Sequence, residues 1–189
     1  MRFACVALFF FTALLQATDP GPLPVLRPAP DFVINYPGGQ KQALNKYRGK
    51  VVALEMLFTT CPHCQNAARV FSKLYAEYGA KGFQPVGVAF NEATDAKVTE
   101  FVKGTGATYP IGYAERENVL KFLSFSTIDR LVVPQIIWID RSGNIRSQTP
   151  VAGDEKMLQE AYWREMIETL LKERGISSAV RHSAAPAKH

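Results

Sequence analysis

Two cysteines separated by two residues carry the most definite chemistry in this sequence. Cys61 and Cys64 enclose Pro62 and His63, and they follow the almost wholly apolar run 51–58. A thiolate is the nucleophile of disulfide exchange, and its pKa can fall from about 8.5 to between about 3.5 and 7.5 at a helix N-terminus. The spacing therefore predicts a redox pair in which Cys61 attacks a disulfide and Cys64 resolves the mixed disulfide.

The elements around the pair are predicted to be a strand followed by a helix. The run 51–58 is too short for a helix and too apolar for an edge, so it predicts a central buried strand. Apolar side chains then recur at helical spacing and predict a helix over about 61–78. Cys61 would cap that helix, where unpaired N–H groups and the macrodipole favour an anion. Pro62 suits the first turn, and a protonated His63 would add a positive charge beside the sulfur.

Other uses of the cysteines can be weighed against exchange. A structural disulfide over so short a loop would stabilise the fold by only about 2 kcal/mol. Zinc needs two more ligands, and the other histidines lie within residues 182–189; haem attachment needs histidine where Gln65 stands. A copper-binding module, with Cys61, His63 and Cys64 as soft ligands, stays open as an alternative from a different class.

A single acid interrupts the predicted central strand. Glu55 lies six residues before Cys61. Because an unpaired buried carboxylate is costly, we expect a raised pKa or a water path. Its functional interpretation is proton exchange with Cys64, which must lose its proton to resolve a mixed disulfide. The alternative is a carboxylate that reaches solvent at the end of the strand.

Pro134 precedes a third apolar run and follows Val133. Proline cannot donate to a strand ladder, so it belongs at a strand start. A cis bond would fit a tight approach of this loop to the CxxC, with the Val133 backbone free to pair with an extended substrate. The alternative is that Pro134 only marks a strand boundary.

The remaining predicted elements alternate along the chain. Strands are predicted at 31–36, 85–90, 109–113, 135–140 and 145–149, and helices at 95–103, 116–122 and from Asp154 to about 173. The last helix should bury a stripe made of Leu158, Tyr162, Met166 and Leu170. Strands that alternate with helices predict an α/β sandwich, and the hairpin of the last two strands makes its sheet mixed.

Composition and the N-terminus restrict the class of protein. The chain has 189 residues, of which 47% are apolar and 21% charged, so one domain with a true core is expected. The net charge is +5, but no Lys/Arg run exceeds two residues, and no nucleic-acid partner is predicted.

Residues 1–17 predict a cleaved signal peptide and a periplasmic or secreted protein, with an N-terminal membrane anchor as the alternative. A Pro-rich linker at 18–30, a domain at 31–174 and a disordered tail at 175–189 would follow.

These motifs resemble the thioredoxin superfamily, and within it the TlpA-like, redoxin-type branch of secreted thiol–disulfide oxidoreductases. The resemblance covers about residues 28–150 and rests on Ala29–Phe32, Tyr47–Val52, the CxxC, Val133-Pro134 and Ile139–Gly143. It implies a thioredoxin fold, a mixed central sheet flanked by helices. It also implies a helix–strand insertion in the 73-residue step from Cys61 to Pro134.

The resemblance also implies roles. Cys61 would attack, Cys64 would resolve, Glu55 falls at the position of a buried acid and Pro134 at a cis-proline. Residues Pro62, His63, Val133 and Pro134 would contact substrate. No bound cofactor and no metal are expected; protein thiols and disulfides are the expected substrates, and a membrane redox partner would regenerate the pair.

The direction of exchange stays open at this point. Potentials in this fold run from about −270 to about −120 mV. Pro62-His63 is the dipeptide of the periplasmic oxidant DsbA, whereas the TlpA-like frame favours a reductase, for example one serving cytochrome c maturation. Thr60 replaces the usual tryptophan before the first cysteine. A peroxiredoxin-like peroxidase is the rival within the fold, but its PxxxTxxC signature is broken by Leu54 and Phe58.

Overall fold

The structure is a computed structural model, and it describes residues 25–173. The strands are β1 Arg27–Pro28, β2 Val33–Asn35, β3 Lys41–Ala43, β4 Val51–Leu57, β5 Phe83–Ala89, β6 Ile111–Tyr113, β7 Gln135–Ile139 and β8 Asn144–Gln148. The helices are α1 Pro62–Tyr78, α2 Asp95–Thr105, α3 Arg116–Leu123 and α4 Glu160–Lys172. The predicted signal peptide and the predicted tail lie outside the described residues.

One mixed sheet carries these strands in the order β1-β8-β7-β4-β5-β6-β2-β3. β5 pairs in parallel with β4 and β6, whereas β4 with β7 and β7 with β8 are antiparallel. The strand before the CxxC is therefore central, as predicted, and the mixed α/β architecture is confirmed. The predicted helix–strand insertion corresponds to α2 and β6, which add a strand beside β5.

Both faces of the sheet are covered, which explains the continuous apolar run of β4. Val51, Ala53 and Leu57 pack in one core with α1 and α4, while Val52, Leu54 and Met56 alternate into a second core with α3. Every residue of β4 is buried. Because side chains alternate along a strand, Glu55 points to the face that α1 covers.

The sheet begins earlier than the sequence suggested. Arg27 and Pro28, within the predicted linker, pair antiparallel with β8, and the Ala29 amide donates to the Gly143 carbonyl oxygen at 2.9 Å. An edge strand accepts this proline because its missing N–H can face away from the ladder.

The last helix also differs from the prediction. Asp154 does not cap α4; its Oδ1 accepts from the Met157 amide at 3.1 Å, within the short 3-10 turn Lys156–Leu158. The backbone then extends at Gln159 and α4 begins at Glu160, which resets the helical phase. Its buried residues are Trp163, Met166, Ile167 and Leu170, so two of the four predicted members are right, while Leu158 and Tyr162 are half-buried.

Candidate active site

The junction of β4 and α1 places the CxxC as predicted. Cys61 is the N-cap of α1 with an extended backbone, and its sulfur accepts from the Cys64 amide at 3.4 Å. Pro62 occupies the first turn, where its missing N–H leaves no donor unpaired. The Cys61 sulfur therefore sits at the positive end of a 17-residue helix, where an anion is stabilised.

The two cysteines differ in their access to solvent. Cys61 is half-buried and Pro62 and His63 are exposed, whereas Cys64 is fully buried. Burial raises the pKa of the Cys64 thiol well above its ordinary value, and the nearby Glu55 carboxyl raises it further. A reagent can thus reach the Cys61 sulfur, while Cys64 stays a thiol until a base takes its proton.

The loop before β7 closes the other side of the Cys61 sulfur. The Val133–Pro134 peptide bond is cis, and the Val133 carbonyl oxygen lies 3.8 Å from Cys61 Sγ. Val133 is half-buried and Pro134 is buried. The fold therefore brings together two predicted site segments that are 72 residues apart in sequence.

Glu55 is buried completely, so the alternative of a solvent-exposed carboxylate is excluded. Its Oε2 accepts from the Tyr109 hydroxyl at 2.9 Å, and its Oε1 has no hydrogen-bond partner among residues 25–173. Burial raises the pKa of Glu55 to about 8, and the bond from Tyr109 acts in the opposite direction. The expected raised pKa is confirmed, and proton exchange with Cys64 stays a prediction.

Within the described residues, no three His, Cys, Asp or Glu side chains come together as a set that could hold a metal ion, so Cys61, His63 and Cys64 do not converge as the copper alternative requires.

No helix between residues 25 and 173 has the length and apolar character needed to cross a membrane.

Comparison with known families gives this arrangement its context. The family model described as Redoxin matches residues 25–162, which include the sheet, the CxxC and the cis-proline loop. The chain belongs to the Redoxin family. This redoxin is 26% identical over 132 residues to thiol-disulfide oxidoreductase ResA of Bacillus thuringiensis subsp. konkukian, covering 70% of this chain and 73% of that protein. It is 29% identical to ResA of Halalkalibacterium halodurans over the same length, covering 70% and 72%.

Solved structures resemble the redoxin over its described length. A proposed protein disulfide isomerase from Bacteroides thetaiotaomicron matches with a TM-score of 0.65 at 27% identity, covering 80% of this chain and 92% of that one. A thiol:disulfide interchange protein of the thioredoxin family from Chlorobium tepidum TLS matches with a TM-score of 0.63 at 24% identity, covering 82% and 99%. The predicted thioredoxin-like fold is confirmed by these likenesses.

Sequence reasoning missed three polar side chains that build the redoxin's site. Asn91 accepts from the Thr59 amide at 3.0 Å and so holds the chain just before the CxxC. Gln135 is fully buried and donates to the Val132 oxygen at 2.7 Å, which fixes the cis-proline loop. Asn91 and Gln135 could have been found, since they lie at the end of β5 and directly after Pro134. Tyr109 had no local signal, because its partner is 54 residues away.

Proposed function

We propose that this redoxin is an exported thiol–disulfide oxidoreductase that exchanges disulfides with protein substrates through Cys61 and Cys64. The observation that carries the proposal is the unequal exposure of two sulfurs one helical turn apart. The half-exposed one caps the N-terminus of α1, and the other is buried behind it. The names of the two ResA relatives support the same chemistry.

The proposed reductive cycle needs no bound cofactor. The Cys61 thiolate attacks one sulfur of a substrate disulfide, which forms a mixed disulfide and releases the first substrate thiolate. The Cys64 thiolate then attacks the Cys61 sulfur. The Cys61–Cys64 bond forms, the bond to substrate breaks, and the second substrate thiolate leaves and takes a proton from water. The substrate gains two electrons, the CxxC loses two, and oxidation of a dithiol runs the same steps in reverse.

Glu55 supplies the missing base in this scheme. The Cys64 thiol is buried and holds its proton strongly, so its attack requires an acceptor inside the protein. Glu55 lies behind the CxxC on β4, and its pKa of about 8 allows it to take and return a proton near neutral pH. Proton transfer from the Cys64 thiol to the Glu55 carboxylate would leave a thiolate and a carboxylic acid, with no net charge added to the core.

The surface around Cys61 fits a polypeptide substrate. The exposed Pro62 and His63 lie on one side of the sulfur, and Val132 and Val133 of the cis-proline loop lie on the other. Val132 exposes 42% of its surface, a large fraction for an apolar residue beside a reactive sulfur. After each turnover a membrane redox partner would restore the pair to its starting state.

Exchange is tested by single-cysteine variants. The wild-type protein should catalyse insulin reduction by dithiothreitol or oxidation of reduced RNase, and Cys61→Ser should abolish both activities. Cys64→Ser should accumulate a stable mixed disulfide with substrate, visible on a non-reducing gel. If wild type and Cys61→Ser are indistinguishable in both assays, the enzyme proposal is wrong. For an active protein, the redox equilibrium between the Cys61–Cys64 pair and glutathione gives the direction of exchange.

Export is tested separately. The full chain expressed in a Gram-negative host should be recovered in the periplasmic fraction with Thr18 as its first residue, because cleavage is proposed after Ala17. Replacing Leu8 to Leu15 by a polar stretch should keep the protein in the cytoplasm. Full-length protein that is found in the cytoplasm of the wild-type strain would refute export and leave the exchange chemistry untouched.

A further inference from the structure

The two oxygens of the Glu55 carboxyl are in different situations. Oε2 accepts from the Tyr109 hydroxyl at 2.9 Å, and Oε1 is buried with no hydrogen-bond partner in the described chain. A carboxyl can rotate and exchange its oxygens unless something holds one of them. The Tyr109 hydroxyl has a single hydrogen to donate, and it gives it to Oε2.

Tyr109 is itself held in place. It lies in the connection between α2 and β6, the two elements of the helix–strand insertion. Only 5% of its surface is exposed. Its ring meets the Phe71 ring edge-on, with centroids 6.4 Å apart, and Phe71 stacks on Trp163 at 4.4 Å. Aromatic packing on α1 and α4 therefore fixes the direction in which the hydroxyl points.

We propose that Tyr109 is a positioning residue for thiol–disulfide exchange: its hydroxyl holds Glu55 Oε2 and so assigns Oε1 to proton exchange with the Cys64 thiol. The inference rests on the proposed function. The proton moves from Cys64 Sγ to Glu55 Oε1 before the sulfur attacks the mixed disulfide, and it returns to solvent afterwards. Tyr109 keeps its own proton throughout.

The electrostatic surroundings agree with this role. Among residues 25–173, the ionisable side chains that interact with Glu55 are Cys64 on α1 and Tyr109, while β5 and β7 place Gly87 and Ile136 opposite it. Burial and the Glu55 carboxyl raise the pKa of Tyr109 well above its ordinary value, so Tyr109 remains the donor. A donor to the charged form of an acid lowers its pKa, which keeps the buried Glu55 able to ionise near neutral pH.

The direct test is Tyr109→Phe, which removes the hydroxyl and keeps the ring. A mixed disulfide between Cys61 and 5-thio-2-nitrobenzoate is prepared, and its resolution by Cys64 is followed by absorbance from pH 5.5 to 9.5. Loss of a hydrogen bond to a charged group should move the midpoint of the rate profile up by about one pH unit and slow resolution about tenfold at pH 7. In Glu55→Gln the same substitution should produce no further change in the profile.

Tyr78→Phe is a matched control. Tyr78 is as buried as Tyr109 and also donates to a carboxylate, Glu168, at 2.7 Å, but it lies at the opposite end of α1 from Cys61. The Tyr78→Phe substitution should leave the dependence of the resolution rate on pH unchanged. A general effect of removing a buried tyrosine hydroxyl would move both profiles, and that result would overturn the proposal.

A second measurement does not depend on the phenylalanine variant folding. Replacement of Tyr109 by 3,5-difluorotyrosine makes the hydroxyl a stronger donor with little change in shape, and the Glu55 titration, followed by carboxyl NMR, should move to lower pH. If wild type resolves the mixed disulfide but neither replacement of Tyr109 moves the Glu55 titration or the profile, Tyr109 does not position Glu55. If wild type fails to resolve it at all, the proposed function fails first.

Discussion

Glu55 should make the stability of the reduced protein depend on pH in a specific way. Burial raises the pKa of Glu55 from 4.5 to about 8 in the folded chain. Below pH 4.5 both the folded and the unfolded chain carry the neutral acid, so the ionisation of this carboxyl does not change the free energy of unfolding. Between pH 4.5 and 8 the unfolded chain ionises and the folded chain does not, so stability that is fully present at low pH is lost as pH rises to about 8.

The size of this loss follows from the two pKa values. Their difference is about 8 − 4.5 = 3.5, and each unit corresponds to about 1.4 kcal/mol, which gives a loss of about 5 kcal/mol across the window. Glu55→Gln carries no ionisable group and removes this slope. Its buried amide N–H groups need acceptors, which costs about 2 kcal/mol at every pH. Glu55→Gln should therefore be less stable than wild type near pH 5 and more stable, by about 3 kcal/mol, near pH 8.

Urea unfolding at several pH values measures this crossing. The buried Trp138 and Trp163 report unfolding by fluorescence, and a reductant keeps both cysteines as thiols. Glu100→Gln removes an exposed carboxylate from the middle of α2 and serves as the matched control, which should follow wild type throughout. Parallel stability curves for wild type and Glu55→Gln from pH 5 to pH 8 would refute the buried, neutral carboxyl.

Three further outcomes are expected. Gly112→Ala should lower the free energy of unfolding by about 2 kcal/mol or more in urea titration, because its Cβ would lie 2.3 Å from a backbone oxygen of β2. Gly104→Ala, where a Cβ meets nothing within 4 Å, should be neutral or mildly stabilising. Equal changes in the free energy of unfolding for the two variants would show that the close approach of β2 to Gly112 does not matter. Arg146→Met removes a buried guanidinium on β8 that pairs with Asp140, just after β7, and with Glu173, at the end of α4. It should lower the free energy of unfolding by about 3 kcal/mol, whereas an unchanged urea titration would show that these ion pairs contribute nothing. Iodoacetamide at pH 7 should label Cys61 at least about tenfold faster than the buried Cys64 by peptide mass spectrometry, and equal labelling would place both sulfurs at the surface.

Local patterns were sufficient for the elements that carry the chemistry. The apolar run of β4 and the helical spacing after it predict the strand–helix junction, and the bounds agree within one residue. Local patterns failed at α4, where Asp154 looks like a cap but serves a short turn instead. The turn ends before α4 begins, so a single helix drawn through it wrongly includes Leu158. Tyr162 lies in the first turn of α4 and is only half-buried.

The sequence by itself determined which atoms are proposed to react and at which strand–helix junction they lie. A CxxC after a buried strand puts one sulfur at a helix N-terminus, because strand and helix formation depend on neighbouring residues. Tertiary structure alone decided what surrounds those atoms. Val133 reaches Cys61 because β7 lies beside β4, and Tyr109 reaches Glu55 from the segment that leads into β6, two strands from β4 across β5. Such contacts depend on strand order and register, and these are fixed by packing between residues far apart in the chain.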